Sequence, residues 1–251
     1  MDYLFPDILD IQVTLQCNAH CRNCIEFCNM KDKTGLDYED SDMTIDQILD
    51  FIEEIQAFGR KNIFESVFIT GGEPLLNPNI EFITYLIDER LLQEHYINRL
   101  FINSNKIKKY PDPILDKYIV NFSLPKDNRN IHQCNLLLPN GKIEQTYDNC
   151  EHYRKQRIVL NYQGYSLCCA GDAYTRLMCA EHLILDHLPN SIEEFPNMDE
   201  ICQICPFHSE NPPVYERAVG SPVSSFYTAQ AMQNKAGRQI TRRYNGIKTR
   251  K

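Results

Sequence analysis

Leu9-Asp10-Ile11-Gln12-Val13-Thr14-Leu15-Gln16, followed at once by Cys17-Asn18-Ala19-His20-Cys21-Arg22-Asn23-Cys24, is the stretch on which the reading of the fold turns. Apolar and polar residues alternate through its first half, which predicts a strand that delivers Cys17 at its C-terminal end. The second half places three thiols within eight residues on a loop. Such a loop can fold around one face of an iron–sulfur cubane, whose usual ligands are thiolates. Three protein ligands leave one iron open, and an open position is what separates a catalytic metal site from a closed structural one. A structural zinc site, with His20 or Cys28 as fourth ligand, is the competing reading of the same residues.

Downstream, a polar loop runs to Met43, and Thr44-Ile45-Asp46-Gln47 forms a capping box ahead of Ile45, Ile48, Leu49, Ile52 and Ile55 at helical spacing, with Gly59 as a stop. Glu53 and Glu54 read as its solvated face. Ser66 to Thr70 is a short apolar strand ending in Gly71-Gly72-Glu73-Pro74. Residues 80–96, with Ile80, Ile83, Tyr85, Leu86 and Leu91, predict a second helix. A strand over 98–103, a helical piece near 112–117 and the apolar run Tyr118 to Leu124 follow. Strands alternating with helices predict βαβ units and a parallel sheet. Ligands of such sheets gather at the C-terminal strand ends, where Cys17, Gly71 and Asn103 all fall.

The pattern changes after Lys126. Residues 156–169 predict two strands turning at Gln163-Gly164, and cysteines surround them. Cys150, then thirteen residues to Gly164 and four more to Cys169, and then Cys202-Gln203-Ile204-Cys205 form a second constellation. Cys168 competes with Cys169, since neighbours on a strand point to opposite faces and only one can join a given site. Zinc or unligated core thiols are the alternatives for this set. Cys28, Cys134 and Cys179 read as buried thiols without a chemical role. The seven histidines form no pattern.

The chain has 251 residues with 43% hydrophobic and 24% charged residues, so it has enough length and apolar content for a buried core. No apolar run approaches the ~20 residues a membrane span requires, and the first residues carry no secretory pattern, which predicts a cytoplasmic protein with no membrane partner. Eleven cysteines without an export signal favour metal or cluster chemistry over disulfides. A net charge of −8 opposes generic nucleic-acid binding. The exception is Lys235 to Lys251, with seven Lys/Arg and no acid, which reads as a partly disordered tail able to contact an acidic partner or nucleic acid, though this is not the favoured role.

Cys-x3-Cys-x2-Cys after a first strand and Gly-Gly-Glu-Pro after a second together resemble the radical S-adenosylmethionine (SAM) superfamily, over roughly residues 9–124. The resemblance implies a 4Fe-4S cluster on Cys17, Cys21 and Cys24. Its fourth iron would take the amino and carboxylate groups of SAM, and one-electron reduction by a flavodoxin- or ferredoxin-type donor would yield methionine and a 5′-deoxyadenosyl radical that abstracts a substrate hydrogen. It further implies SAM contacts from Gly71, Gly72, Glu73 and Pro74, and from Asn103, Ser104 and Asn105. The two glycines would let backbone carbonyls approach the SAM ammonium, Pro74 would fix the exit of the turn, and Glu73 would add a charged contact. Asn23 stands where the family often has an adenine-contacting aromatic, with Phe27 nearby. The later glycine motif of the family is not recognisable, so the barrel is expected to be abbreviated.

The second constellation resembles the SPASM auxiliary-cluster extension. No cysteine follows Cys205, so the resemblance is to the short, one-cluster form called twitch, with Cys150, Cys169, Cys202 and Cys205 holding a second 4Fe-4S cluster. The implied fold is α/β, a partial TIM-type βα barrel with a small C-terminal hairpin and helix unit. Its divisions are a core over 1–126, its continuation with the auxiliary cluster over 127–210, and a basic extension over 211–251. The implied substrate is a small polar molecule or a peptide side chain, with oxidation or cross-linking as outcome. No leader-binding stretch is recognised ahead of the core, so a peptide substrate is expected to need a partner or direct recognition. The reading from a different class is a non-catalytic metal-bound module that contacts a partner through its basic tail.

Overall fold

The computed structural model describes residues 6–18, 26, 28, 41–105, 113–121, 150, 155–178, 180–203 and 205. The expectations for Cys21, Cys24, Asn23, Phe27, Cys134, Cys179 and the basic tail lie outside these residues. Strand β1 (Ile8–Gln12) is followed by α1 (Ile45–Ala57), β2 (Ser66–Thr70), α2 (Ile80–Ile87), β3 (Leu100–Ser104), α3 (Pro113–Tyr118) and β4 (Ile119–Asn121). Then come β5 (Arg157–Asn161), β6 (Gly164–Leu167), α4 (Cys168–Met178) and α5 (Met198–Cys202). The six strands make one mixed sheet in the order β4-β3-β2-β1-β5-β6, parallel throughout except for the antiparallel β5–β6 pair. Helical crossovers between parallel strands make this an α/β fold, as the alternation predicted.

The register sorts the sheet into two chemically different faces. Leu9 and Ile11 align with Val67 and Ile69 on β2 and with Ile158 and Leu160 on β5, and Ile69 aligns with Ile102. All of these are buried in one cluster with Ile48, Phe51, Ile52 and Ile55 of α1 and Ile80, Ile83 and Ile87 of α2. Each such side chain contributes about 1.5–3 kcal/mol by leaving water. The opposite face carries Asp10, Gln12, Phe68, Thr70, Phe101 and Asn161, and α4 lies against its β1–β5 part through Asn161 and Asp172. The capping box of α1 is present in full: the Thr44 side chain accepts from Gln47 N and the Gln47 side chain accepts from Thr44 N. Gln47 Nε2 also donates to Tyr162 O across 3.2 Å, tying α1 to the β5–β6 turn.

Several expectations change on contact with the structure. The ladder of β1 stops at Gln12, and the residues to Gln16 run on beside the Gly71-Gly72 turn instead. The helix expected over 80–96 ends at Ile87 and continues as a π-helical turn over Asp88–Leu92, closed by Gln93 N donating to Asp88 O. The hairpin turns at Tyr162-Gln163 rather than one residue later, because Asn161 pairs with Gly164 and the Asn161 side chain accepts from Gln163 N. That hairpin belongs to the main sheet, since β5 pairs in parallel with β1. Cys168 and Cys169 are not on a strand. A left-handed φ of 49° at Cys168 breaks the extended chain, and both residues begin α4. Glu54 is not simply solvated: its carboxylate accepts from the Tyr165 hydroxyl at 2.8 Å and from Leu188 N at 2.5 Å. Among the described residues no helix is long and apolar enough to cross a membrane.

Candidate functional site

The C-terminal ends of β1, β2 and β3 meet in one place, and the meeting is built from main chain. Val13 N donates to Thr70 O, Gly72 N to Thr14 O and Glu73 N to Gln16 O, at 2.7–2.9 Å. A Cβ at Gly71, whose φ is +148°, would stand 2.2 Å from Thr14 O, and one at Gly72 would stand 2.3 Å from Gln16 O. These glycines therefore admit the backbone that leads into Cys17. The reason first assigned to them, approach to a ligand, is joined by a prior one inside the chain. Leu15 N donates to Ser41 Oγ at 3.0 Å, Thr14 Oγ1 to Asp42 Oδ1 at 2.5 Å, and Asn77 Nδ2 to Val13 O at 2.8 Å. Together these side chains anchor residues 13–15 as well.

Glu73 is buried at 1% exposure and accepts from Leu75 N at 3.1 Å, Ser104 Oγ at 2.8 Å and Asn105 N at 2.7 Å. A buried carboxylate requires such donors, because without them desolvation would expel the charge. Glu73 thus straps the end of β2 to the end of β3, and Ser104 turns its hydroxyl inward to it. Asn105 Nδ2 in turn donates to Asn18 Oδ1 at 2.8 Å, one residue beyond Cys17. Pro74 is buried at the start of a 3-10 turn, Asn103 is half-buried on β3, and Cys17 is half-buried against the core. Of the sequence-predicted residues, Cys17, Gly71, Gly72, Glu73, Ser104 and Asn105 are brought to one edge of the sheet.

A buried charge network that sequence reading missed lies on the polar face beside this edge. Arg176 of α4 donates to Asp172 Oδ2 at 3.0 Å and to Glu26 through its carboxylate at 3.1 Å and its carbonyl at 3.0 Å. Gln12 Nε2 also donates to Glu26, at 2.8 Å, and Asn161 bonds Asp172. Burial works against the Arg176 charge, but Asp172 and Glu26 more than offset it and its pKa is raised. Glu26 sits two residues after Cys24 in the sequence, and the network ties that point of the chain to α4. Nearby, Arg157 pairs with Asp10 at 2.5 and 2.7 Å, while burial pushes the Asp10 carboxyl above the usual carboxylate range. The i,i+4 spacing of Asp172 and Arg176 within a mostly small and apolar stretch was the available signal.

Cys168 and Cys169 begin α4 and Cys202 ends α5. Cys150, Cys168, Cys202 and Cys205 are buried, and Cys169 is half-buried. Burial pushes the Cys168 thiol up to about 12, the nearby backbone of Gly171 and Ala170 opposes this, and Cys150 adds to the rise. Burial raises Cys202 as well, with Cys168 and Cys150 as the next causes. Cys169 is raised by burial and by Cys168, and its other charged neighbours are Glu26, Asp10 and Arg157. Cys205 follows Cys202 in a turn closed by Cys205 N donating to Cys202 O. Among the described residues no three Cys, His, Asp or Glu side chains converge as they would on a single ion. A polynuclear cluster takes each thiolate on a different iron and does not require that convergence. A thiol-only donor set suits iron–sulfur or zinc, and metal binding would replace the protons that burial retains.

No family model matches the chain. Over 74 residues, 30% of its length, the chain is 38% identical to the GTP 3',8-cyclase of Clostridium perfringens strain SM101, and equally to that of strain 13. The match spans only about a fifth of those relatives' length, 20% of each. Among solved structures, that of BtrN in complex with AdoMet and 2-DOIA resembles 95% of this chain over 92% of its own, at 15% identity and a TM-score of 0.41.

Proposed function

We propose that the chain is a radical SAM enzyme. The observation that carries the reading is the convergence of Cys17, Gly71-Gly72-Glu73 and Ser104-Asn105 at the C-terminal edge of a parallel sheet, locked by main-chain contacts between the segment leading into Cys17 and the glycine turn. The local similarity to GTP 3',8-cyclase supports it. Cys17, Cys21 and Cys24 would hold a 4Fe-4S cluster with one open iron, and an external flavodoxin- or ferredoxin-type protein would supply the electron. When bound, the cluster supplies the electron that cleaves SAM to methionine and a 5′-deoxyadenosyl radical.

The chain's own residues orient and enclose. The Gly71-Gly72 turn offers carbonyl oxygens beside the cysteine loop. Glu73 acts through Ser104 and Asn105, keeping the β3 end at a fixed distance from Cys17 rather than reaching for the ligand itself. Asn103 lies on the polar sheet face, where Phe68 and Phe101 stack at 5.0 Å and form a floor for substrate. Substrate would be a small polar molecule or a peptide side chain. A second cluster would be held by Cys150, Cys202, Cys205 and one thiol of the Cys168-Cys169 pair, in a twitch-like region, which favours an oxidation or a cross-link. On this reading the sheet is an abbreviated barrel, with residues 1–126 as core, 127–210 as its continuation with the second cluster, and 211–251 as an extension, in a cytoplasmic enzyme.

The test is anaerobic reconstitution with iron and sulfide, followed by SAM and dithionite. About eight irons per chain and release of 5′-deoxyadenosine are expected. Replacing Cys17, Cys21 and Cys24 together by Ala should abolish cleavage and leave about four irons. Zinc in place of iron, with no cleavage, would overturn the enzymatic reading.

A further inference from the structure

The polar face of the sheet carries a row of side chains that crosses β5, β1, β2 and β3 at their C-terminal ends. Gln12 on β1 aligns with Thr70 on β2. Gln12 also follows directly on the last aligned pair of β1 and β5, Ile11 with Leu160, so Asn161 stands on its other side. Asn103 stands beyond Thr70 in the same way, since Ile69 aligns with Ile102. We propose that Gln12, with Thr70 beside it, reads the substrate: its side-chain carbonyl oxygen accepts an O–H or N–H from an uncharged polar group. The inference deepens the radical SAM reading by naming a substrate class and a residue that recognises it; binding of such a group by the row is testable without that reading.

The first observation is an acceptor with nothing to accept. Gln12 is 2% exposed, and its Nε2 donates to Glu26 Oε2 at 2.8 Å. A carboxylate only accepts, and Glu26 is paired with Arg176 at 3.1 Å, so the amide nitrogen and not the oxygen must face it. The planar amide then turns Oε1 away from Glu26, and there the oxygen is buried with no hydrogen-bond partner among the described residues. Buried acceptors are nearly always satisfied, so an open one marks a place where a donor arrives. The second observation is the gradient along the row. Asn161 and Gln12 are buried, whereas Thr70 and Asn103 are half-buried. Asn161 is fully occupied: it donates to Asp172 and accepts from Gln163 N at 2.7 Å. The covered end of the row is therefore closed by α4, and the open end begins at Thr70, next to the unfilled Gln12 oxygen.

Charge decides which kind of group fits. Arg176 and Arg157, the arginines that reach this face, are both engaged, Arg176 by Asp172 and Glu26 and Arg157 by Asp10. Arg157 is further held over the Phe68 ring, 5.5 Å from its centroid. A phosphate or carboxylate entering the row would meet a carbonyl dipole of the wrong sign and a buried carboxylate behind it, and an unpaired buried charge is strongly disfavoured. A hydroxyl or uncharged N–H meets the opposite situation. It donates to an oxygen already stripped of water, where a hydrogen bond is stronger than at the surface. A free polyol and the hydroxyl of a serine or threonine in a peptide share this chemistry.

The experiment titrates the full reconstituted chain by calorimetry with myo-inositol as a free polyol, N-acetylserine amide as a peptide hydroxyl, and glucose 6-phosphate as an anion. A neutral probe should bind in the millimolar range or tighter, and which of the two binds separates the polyol from the peptide source. Gln12→Met, which keeps the length of the side chain and removes the acceptor, should weaken that probe about tenfold. If neither neutral probe binds, or if Gln12→Met binds as the wild type does, the proposal is overturned and Oε1 serves a trapped water only. Tighter binding of glucose 6-phosphate than of both neutral probes overturns it as well. Gln12 also anchors Glu26, so folding of Gln12→Met is checked by its urea midpoint. Should that variant not fold, Thr70→Val decides, with about threefold weaker binding expected and unchanged binding refuting the proposal. SAM cleavage by the wild-type chain is read separately. Binding that depends on Gln12 without any cleavage would sink the radical SAM reading and leave the site standing; cleavage with no probe binding would do the reverse.

Discussion

At the β1–β2–β3 edge the segment leading into Cys17 meets the glycine turn through main chain, whereas at the α4 end of the molecule the elements are held by buried charged side chains. Gly71 and Gly72 let Thr14 and Gln16 approach to hydrogen-bonding distance, and a single carboxylate, Glu73, closes the edge. On the other side, Arg176, Glu26, Asp172, Gln12 and Asn161 hold α4 against the sheet through buried charge. A main-chain junction tolerates change in neighbouring side chains but no added atom at its contact points. A buried charge network tolerates neither the loss of one member nor a change in its sign.

The largest effect should come from breaking that network. Arg176→Met removes the cation shared by two carboxylates, Asp172 fully buried and Glu26 at 11% side-chain exposure. Stability should fall by about 3–5 kcal/mol, as for other buried pairs stripped of one partner. Urea unfolding of the metal-free protein would read this as a lower midpoint at unchanged slope. Adding Asp172→Asn and Glu26→Gln to Arg176→Met should recover part of the loss. No recovery would mean that Arg176 acts by packing and that the contrast between the two regions is false.

Gly72→Ala comes next. Its Cβ would fall 2.3 Å from Gln16 O, so the cysteine loop must shift, at a cost of about 1–3 kcal/mol. On the proposed reading the larger readout is iron retention: iron held through Cys17 should be lost while iron at the C-terminal thiols stays. Equal losses from both sites would show that the two regions are not independent. Glu73→Gln should cost about 1–3 kcal/mol, because the amide cannot accept from Leu75 N, Ser104 Oγ and Asn105 N at once and turns a donor against a donor. If the chain binds SAM as proposed, its affinity should weaken as β3 loosens, measured by equilibrium dialysis. Unchanged stability with lost affinity would make Glu73 a direct ligand contact.

What could be read from the sequence follows the same division. The β1 and β2 strands, the α1 capping box and the glycine turn were legible because each is a local pattern: alternation, an S/T-x-x-E/Q box, a pair of glycines. The reason for Gly71-Gly72 was not legible, because it depends on a strand partner more than fifty residues away in sequence. The charge network was hidden for the same reason, since Glu26 and Arg176 are 150 residues apart. Glu54 reads as solvated from helical spacing alone, yet it accepts from Tyr165 and Leu188. The π-helical turn after Ile87 and the helix start at Cys168 escaped because hydrophobic periodicity does not register a local change of winding or a single positive φ.

The smallest expected effect tests exposed charge against the buried kind. His187 is half exposed, with Nδ1 3.0 Å from Asp186 and Nε2 3.5 Å from Glu194, so both ring nitrogens face carboxylates. The hydrogen bond to Asp186 chiefly raises its pKa above the ordinary 6.5; partial burial opposes this and Glu194 adds to the rise. A histidine whose folded pKa is raised adds stability that is fully present below the unfolded value near 6.5 and is lost as pH climbs through the folded value. His187→Gln should therefore lower the unfolding midpoint slightly at pH 5.5 and leave it unchanged at pH 9. Solvent and salt screen this pair, so the difference should shrink further in 1 M salt, while the Arg176→Met loss should persist there. A His187 effect as large at pH 9 as at pH 5.5 would mean that the ring acts by packing, and an Arg176 loss that vanished in salt would mean that its network is wet.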